Sequence, residues 1–362
     1  MAGPEEEEED IHISKTNNKE KKKKKPISKL LGCVCFPRKN PSKDMSSIRV
    51  PEVVPSPEQD CERLRSAVQG LGTDEKVIIW VLGHRNASQI RSIRETYQQL
   101  YKESLIDRLY DELSGDFRKA VILWTYDPAE RDARLANEAL KGKKKGVKQL
   151  QVLVEIACAS SPNHLIEVRK AYCSLFDCSL EEDIVSNVPL LLRKVLLALV
   201  SSYRFDKELV DTSLANSDVL TLHEAVQEKK LNHEDFVYVL STRNLYQLRA
   251  TFDCYSQNFG SPIEQDIKNC GKGDLESLLK VVIECINAPE KHFAEVIGGS
   301  IIGFGTDEDT LTRAIVSRAE IDMMQIRGEY FNRYKTNLDG AVSGDTSGYY
   351  KDFLMTLLGA KV

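Results

Sequence analysis

No stretch of this 362-residue chain stays apolar for the roughly 20 residues a helix needs to cross a bilayer, so no membrane-spanning segment is expected. An apolar leader is missing too: acids fill Glu5 to Asp10, where a secretory signal would carry its hydrophobic stretch. The nine cysteines are odd in number and irregularly spaced, which argues for reduced thiols in the cytosol and against a disulfide framework. None sits with histidine at zinc spacing. Aromatic residues make up only 7% of the chain, and β-branched alternation is nearly absent, so the expected fold is all-α.

Motifs of catalysis are also wanting. There is no Gly-x-Ser-x-Gly, no His-Glu-x-x-His and no EF-hand loop. Gly298 and Gly303 have phosphate-loop spacing, but Phe304 stands where the lysine belongs. Gly70-Leu71-Gly72 lacks the third glycine and the preceding strand of a dinucleotide site. The sequence therefore points to a binding protein and not an enzyme.

Charge is present but unevenly spread. The net value is −5, yet ten basic residues and one acid, Glu20, lie between Lys19 and Lys43. Setting aside this run, Lys15 and the acids at 5–10 leaves residues 44–362 clearly acidic. Such a body does not bind nucleic acid through bulk electrostatics. It would also be repelled by an anionic membrane, so lipid binding would need a multivalent cation or local basic loops as a bridge.

Residues 1–57 read as a disordered charged tail, with Pro26, Pro37, Pro41, Pro51 and Pro55 and little apolar periodicity. Beyond them the chain repeats itself. Arg94, Arg169, Arg249 and Arg327 stand 75, 80 and 78 residues apart. Each follows an apolar residue at −4 (Ile90, Leu165, Leu245, Met323) and at −1 (Ile93, Val168, Leu248, Ile326). Each precedes a ring at +3 (Tyr97, Tyr172, Phe252, Tyr330). That spacing draws one helical face. Four repeats are expected, over 58–126, 130–202, 211–287 and 288–359, each with about five short helices. In the first, Thr73 is expected to cap the second helix, with Asp74 and Glu75 in its first turn. Most apolar stripes are taken as plain core.

Repeats 1 and 4 share a sharper signature: Val68-Gln69-Gly70-Leu71-Gly72-Thr73-Asp74-Glu75 and Ile301-Ile302-Gly303-Phe304-Gly305-Thr306-Asp307-Glu308. Forty residues after the second glycine of each comes an acid before a small-residue turn, Glu112 or Asp345. This pattern suits Ca²⁺, which takes six to eight oxygens in a loose shell. Glycines with φ > 0 turn carbonyls to one side, and one carboxylate closes the protein's share. The open positions would fall to water or a lipid phosphate.

With this loop and its distant acid, over roughly 58–359, the chain resembles the annexins, and plant-type annexins most closely. The resemblance implies four repeats packed as one curved body, with calcium-dependent binding to anionic phospholipid. Its implied ligands are the carbonyls of Val68, Gly70 and Gly72 with the Glu112 carboxylate, and those of Ile301, Gly303 and Gly305 with the Asp345 carboxylate. Thr73 and Glu75 form a candidate accessory site. Leu71 and Phe304, between the glycines, are expected to dip into the bilayer interface. The implied location is cytoplasmic and reversibly peripheral on membranes.

Repeats 2 and 3 depart from the pattern. Lys141-Gly142-Lys143-Lys144-Lys145-Gly146 fills the loop of repeat 2, with Asn187 at the acid's place. Lys229-Lys230-Leu231-Asn232 and Cys270 do so in repeat 3. Calcium is not expected there, though Lys143, Lys144 and Lys145 are candidates for direct headgroup contact, each adding up to ~1 kcal/mol near the surface. Other features stay open. His84 matches a histidine proposed for a haem or peroxidase role in plant-type annexins. Cys158 and Cys285 resemble family cysteines given a redox role, but both lie in apolar stretches. A channel or scaffold role would use the repeated arginines as polar interior groups. Ile326-Arg327 is part of the family's cytoskeletal, actin-binding motif. Cys33 and Cys35, beside the lysine run, are candidate S-acylation sites; a plain basic linker or nuclear-import patch is the alternative.

Overall fold

The computed structural model describes residues 45–360 apart from Leu71, Lys145 and Phe304. Among them are twenty α-helices and no strand, five helices to a repeat. Repeat 1 holds α1 (Pro57–Ala67), α2 (Glu75–Gly83), α3 (Ala87–Tyr101), α4 (Leu105–Glu112) and α5 (Gly115–Thr125). Repeat 2 holds α6 (Pro128–Lys141), α7 (Val147–Cys158), α8 (Pro162–Phe176), α9 (Leu180–Asn187) and α10 (Leu190–Val200). Repeat 3 holds α11 (Thr212–Gln227), α12 (Glu234–Thr242), α13 (Leu245–Phe259), α14 (Ile263–Cys270) and α15 (Asp274–Asn287). Repeat 4 holds α16 (Pro289–Ile301), α17 (Glu308–Arg318), α18 (Met323–Tyr334), α19 (Leu338–Asp345) and α20 (Gly348–Leu357). No described helix is long and apolar enough to cross a membrane.

Capping side chains set many of the boundaries. Ser56 and Gln59 close a capping box ahead of Pro57, so α1 starts four residues before the first apolar position, Cys61. The cap of α2 is Asp74, whose side chain accepts from the Val77 amide, and not Thr73. A carboxylate at that place also meets the helix dipole, which frees the Thr73 hydroxyl for another partner described below.

The repeated face found in sequence packs inward, though Leu245 is only half-buried. Ile93, Val168, Leu248 and Ile326 are buried, as are Tyr97, Tyr172, Phe252 and Tyr330. Two cores result: repeats 1 and 4 share one, and repeats 2 and 3 share the other. Residues 45–49 precede α1 and help hold the first core. The Ser47 amide donates to the Ala319 carbonyl at 2.9 Å, and the Met324 amide to the Met45 carbonyl at 3.1 Å. The end of the segment read as tail is thus built into repeat 4. Residues 1–44, with Cys33 and Cys35, lie outside the described residues.

Most buried charge is paired. Arg85 forks onto Asp60 at 2.7 and 2.8 Å, and both side chains are 1% exposed. Repeat 3 reproduces the fork with Arg243 and Asp218. In repeat 4, Arg318 lies over the Phe293 ring and forks instead onto Asp322, four residues on. Removing one partner of such a pair strands a charge, at a cost of about 3–5 kcal/mol.

The seam between the cores is also polar. Glu155 of α7 accepts from Arg313 of α17, and His292 Nε2 of α16 lies 3.0 Å from Glu155 Oε1. Glu284 of α15 stands on the other side of the ring, 3.8 Å from Nδ1. Burial pushes the His292 imidazole down, but Cys285 and Glu284 beside it outweigh that and raise it to about 10. A raised histidine favours the folded state fully below its unfolded value near 6.5, and that contribution is lost as pH rises through about 10. His292→Gln is therefore expected to flatten the decline of unfolding free energy across this window, read by urea titrations at successive pH values. Parallel slopes for variant and wild type would refute it.

Candidate functional site

The glycine loops of repeats 1 and 4 have the backbone that calcium ligation needs. Gly70 and Gly72 take φ of +108° and +93°, and Gly303 and Gly305 take +151° and +86°. Each loop is pinched shut by one amide: Asp74 donates to the Ala67 carbonyl and Asp307 to the Ser300 carbonyl, both at 2.8 Å. A Cβ at any of these four glycines would meet nothing within 4 Å. Their glycine character therefore answers to backbone conformation and not to crowding.

Both distant acids turn toward the loop of their own repeat. Glu112 Oε2 accepts from the Thr73 hydroxyl at 3.3 Å. Asp345 Oδ2 accepts from the Thr306 hydroxyl at 2.6 Å. Among the described residues no three His, Cys, Asp or Glu side chains gather to hold a metal. A cation site here must therefore be built chiefly of backbone oxygens, and these two loops, with one carboxylate each, have that form. The fit is good for a hard cation that accepts carbonyls.

The two loops are not in the same state. In repeat 1, an Arg108 amino group donates to the Val68 carbonyl at 2.5 Å and lies 3.0 Å from Glu112 Oε1. The guanidinium thus touches two of the expected ligands. Ala341 holds the matching place in repeat 4, four residues before Asp345. The i,i+4 spacing of Arg108 and Glu112 was readable in sequence; its reach to Val68 was not. The sites adjoin, because Glu75, Glu112, Asp116, Glu308 and Asp345 line one cleft of about 360 Å³ between repeats 1 and 4. Ile302, just before Gly303, is 58% exposed. Leu71 and Phe304, the expected interface residues, and Lys145 lie outside the described residues.

Repeats 2 and 3 use the same places differently. Asn187 donates back to the Asp183 carbonyl of its own helix. Cys270 donates to the Val226 carbonyl at 3.4 Å, and burial raises its thiol, so the acid's place holds a neutral donor. Lys143 is exposed. Lys144 reaches Asp309 of repeat 4 at 3.3 Å, and Lys148 reaches Asp307 at 2.7 Å. Partial burial works against the Asp307 carboxyl, but Lys148 and Thr310 hold it below the usual carboxylate range.

The remaining candidates have structural employment. His84 closes α2 at the end away from the glycine loop, about 13 Å along nine residues. Its ring lies on Trp80 and its Nδ1 is 3.0 Å from the Trp80 carbonyl. Arg327 pairs with Asp339 and donates to the Leu358 carbonyl. The buried charges of the interior are others, such as Arg85, Asp60, Arg131, Asp132, Glu155 and His292.

Comparison with known proteins follows the same outline. The profile of one family, Annexin, matches residues 59–124, 131–199, 217–282 and 292–357. Annexin D3 of Arabidopsis thaliana is 58% identical over 88% of this chain and all of its own length. Annexin-like protein RJ4 of Fragaria ananassa is 46% identical over 83% of this chain and 95% of its own. The solved structure of annexin III superposes with a TM-score of 0.80 at 32% identity, over 88% of this chain and 98% of that one. Calcium-bound annexin (Sm)1 gives 0.74 at 28% identity, over 84% and 90%.

The loop backbone yields a direct test. Gly72→Ala and Gly305→Ala should each lower stability by about 1–3 kcal/mol through backbone strain alone. Gly328→Ala, inside α18 with open space at its Cβ, should not destabilise. Urea unfolding of the three variants checks this, and equal effects at all three sites would refute it.

Proposed function

The chain belongs to the annexin family, and we propose that it docks reversibly on anionic phospholipid membranes through calcium held at the loops of repeats 1 and 4. Annexins as a family bind phospholipid in a calcium-dependent way and generally do so without catalysis. The observation that carries the reading for this chain is the turn of Glu112 and Asp345 onto the glycine loops of their own repeats.

On this reading the carbonyls of Val68, Gly70 and Gly72 with Glu112 hold one ion, and those of Ile301, Gly303 and Gly305 with Asp345 the other. Thr73 and Thr306 orient the acids. When bound, calcium supplies a positive centre whose open positions a phosphate oxygen completes. One carboxylate per divalent ion leaves net positive charge facing outward, which an acidic body needs in order to meet an anionic surface. Binding of calcium and lipid is then linked, each raising affinity for the other. Lys143 and Lys144 lie beside this face and lend it positive charge, as Lys145 would. Leu71 and Phe304 enter the interface, and Thr73 with Glu75 offers a weaker accessory site.

Vesicle pelleting tests the reading. Wild type should pellet with phosphatidylserine vesicles in calcium and remain in solution with chelator. Glu112→Gln combined with Asp345→Asn should abolish pelleting, and each single change should raise the calcium required. Retained calcium-dependent pelleting by the double variant would sink the assignment of these loops. Arg108 gives a second test, because it must leave Val68 and Glu112 before an ion binds there. With Asp345→Asn silencing repeat 4, Arg108→Met should lower the calcium needed at repeat 1 by about tenfold. Calorimetry reads this without lipid, and an unchanged or weaker affinity would show that the arginine does not compete.

A further inference from the structure

The turn between α9 and α10 in repeat 2 corresponds to the turns that present Glu112 and Asp345, yet it carries no carboxylate at the acid's place. Asn187, in the acid's place, donates to the Asp183 carbonyl at 2.9 Å. The Val188 carbonyl already accepts from two nitrogens of Arg193, at 3.2 and 3.0 Å. What the turn presents instead is hydrocarbon. The helices α5 and α20 open with Gly115 and Gly348, and α15 opens with Asp274; α10 opens with Leu190 and Leu191. Leu190 is 78% exposed and Leu191 is 49% exposed, whereas the next residue, Leu192, is buried and anchors the helix.

Two adjacent leucines held in solvent at a rigid helix start are costly to keep there unless something covers them. Their position says what does. The repeat-2 loop abuts the repeat-4 calcium loop, since Lys144 reaches Asp309 and Lys148 reaches Asp307, two residues past Gly305. The α9–α10 turn is the repeat-2 counterpart of the turns beside those loops, so the leucines continue the proposed docking face. Lysines stand on the neighbouring elements: Lys141 ties the start of the repeat-2 loop to Asp183 of α9 at 2.7 Å, Lys143 is exposed on that loop, and Lys194, which pairs with Glu234 at 3.4 Å, stands one turn further along α10. Lysines around a hydrocarbon tip fit an anionic lipid surface, with the ammonium groups at the headgroups and the aliphatic side chains below them.

We propose that Leu190 and Leu191 form a calcium-independent insertion point, entering the acyl boundary of an anionic bilayer at a corner of the docking face where no calcium ion binds. The inference rests on the docking reading above and adds the means by which repeat 2 engages lipid. Calcium supplies the attraction and the switch; the leucines add apolar burial that lengthens residence once the face has landed.

The test is a lipid titration of the full chain on vesicles of phosphatidylserine and phosphatidylcholine in equal amounts, at saturating calcium. Leu190→Ser with Leu191→Ser should keep the calcium requirement but need about tenfold more lipid for half-maximal pelleting. Leu190→Met with Leu191→Met should bind as wild type does. Both substitutions sit in solvent, and matching thermal unfolding curves verify the fold. Coincident lipid curves for the serine variant and wild type would overturn the proposal while leaving calcium docking intact. Equal losses in the serine and methionine variants would overturn it as well. A wild-type dimer in sedimentation velocity without lipid that the serine variant dissolves would assign the leucines to a second copy, and so overturn it. Failure of wild type to pellet at any calcium concentration would remove the docking reading itself, and this inference with it.

Discussion

On the docking reading, the site depends on loop carbonyl oxygens presented by glycines at φ > 0, with a single carboxylate brought in from another helix pair. Peptide oxygens are weak ligands individually, and one acid only half neutralises a divalent ion. A richer acidic shell would hold calcium more tightly and leave it no charge with which to attract a phosphate. The sparse shell therefore suits a docking role: weak affinity for the ion alone and residual positive charge on the outer side. Glycine is essential because an L-residue at these φ values is strained, and the open space at each Cβ shows that no packing demand competes with that explanation.

The division of the cores places the two loops together. Repeats 1 and 4, the first and last in the chain, share one core and line one cleft with Glu112 and Asp345. Residues 45–49 add a clasp at the same junction. Loops held on one packed body keep a fixed spacing, and a second lipid contact made by a rigid body is an intramolecular event with a high effective concentration. The repeat-2/3 core contributes no such loop, but its lysines neutralise Asp307 and Asp309 beside the repeat-4 site. It thereby lowers the negative potential that an approaching headgroup would meet.

Much of this was legible in the sequence, and the limits have physical causes. The arginine spacing marked a helical face, and that face packs inward in all four repeats, with only Leu245 of the named apolar positions left half-buried, because a period repeated four times averages out local exceptions. The forty-residue step from second glycine to acid spans from each loop to a side chain that hydrogen-bonds the threonine of that loop. Which repeats share a core was not legible, since every repeat offers an apolar face and periodicity does not name its partner. The exposure of Leu190 was hidden inside Leu190-Leu191-Leu192, a run that reads as core until the turn geometry sorts one leucine inward and two outward. The pairings of Lys144 with Asp309 and of Lys148 with Asp307 were not legible, because the partners lie well over a hundred residues away. Thr73 was misplaced as a cap because Asp74, next to it, is the better electrostatic match to the helix start.

The two proposed calcium loops have matching candidate ligands yet start from different ground states. Asp345 accepts only a threonine hydroxyl from its loop, a neutral donor that an ion displaces at small cost. Glu112 and the Val68 carbonyl together hold a guanidinium, which satisfies both oxygens as a cation would. An ion entering repeat 1 must displace that charge into water, and the apparent affinity falls by the fraction of time the arginine stays home. On the docking reading, repeat 4 then fills at lower calcium and makes the first lipid contact. That contact brings the repeat-1 loop to the same surface, where phosphate oxygens add to the ion's side of the exchange and tip it against the arginine. On that reading a single residue difference, Arg108 against Ala341, converts two equivalent sites into an ordered pair.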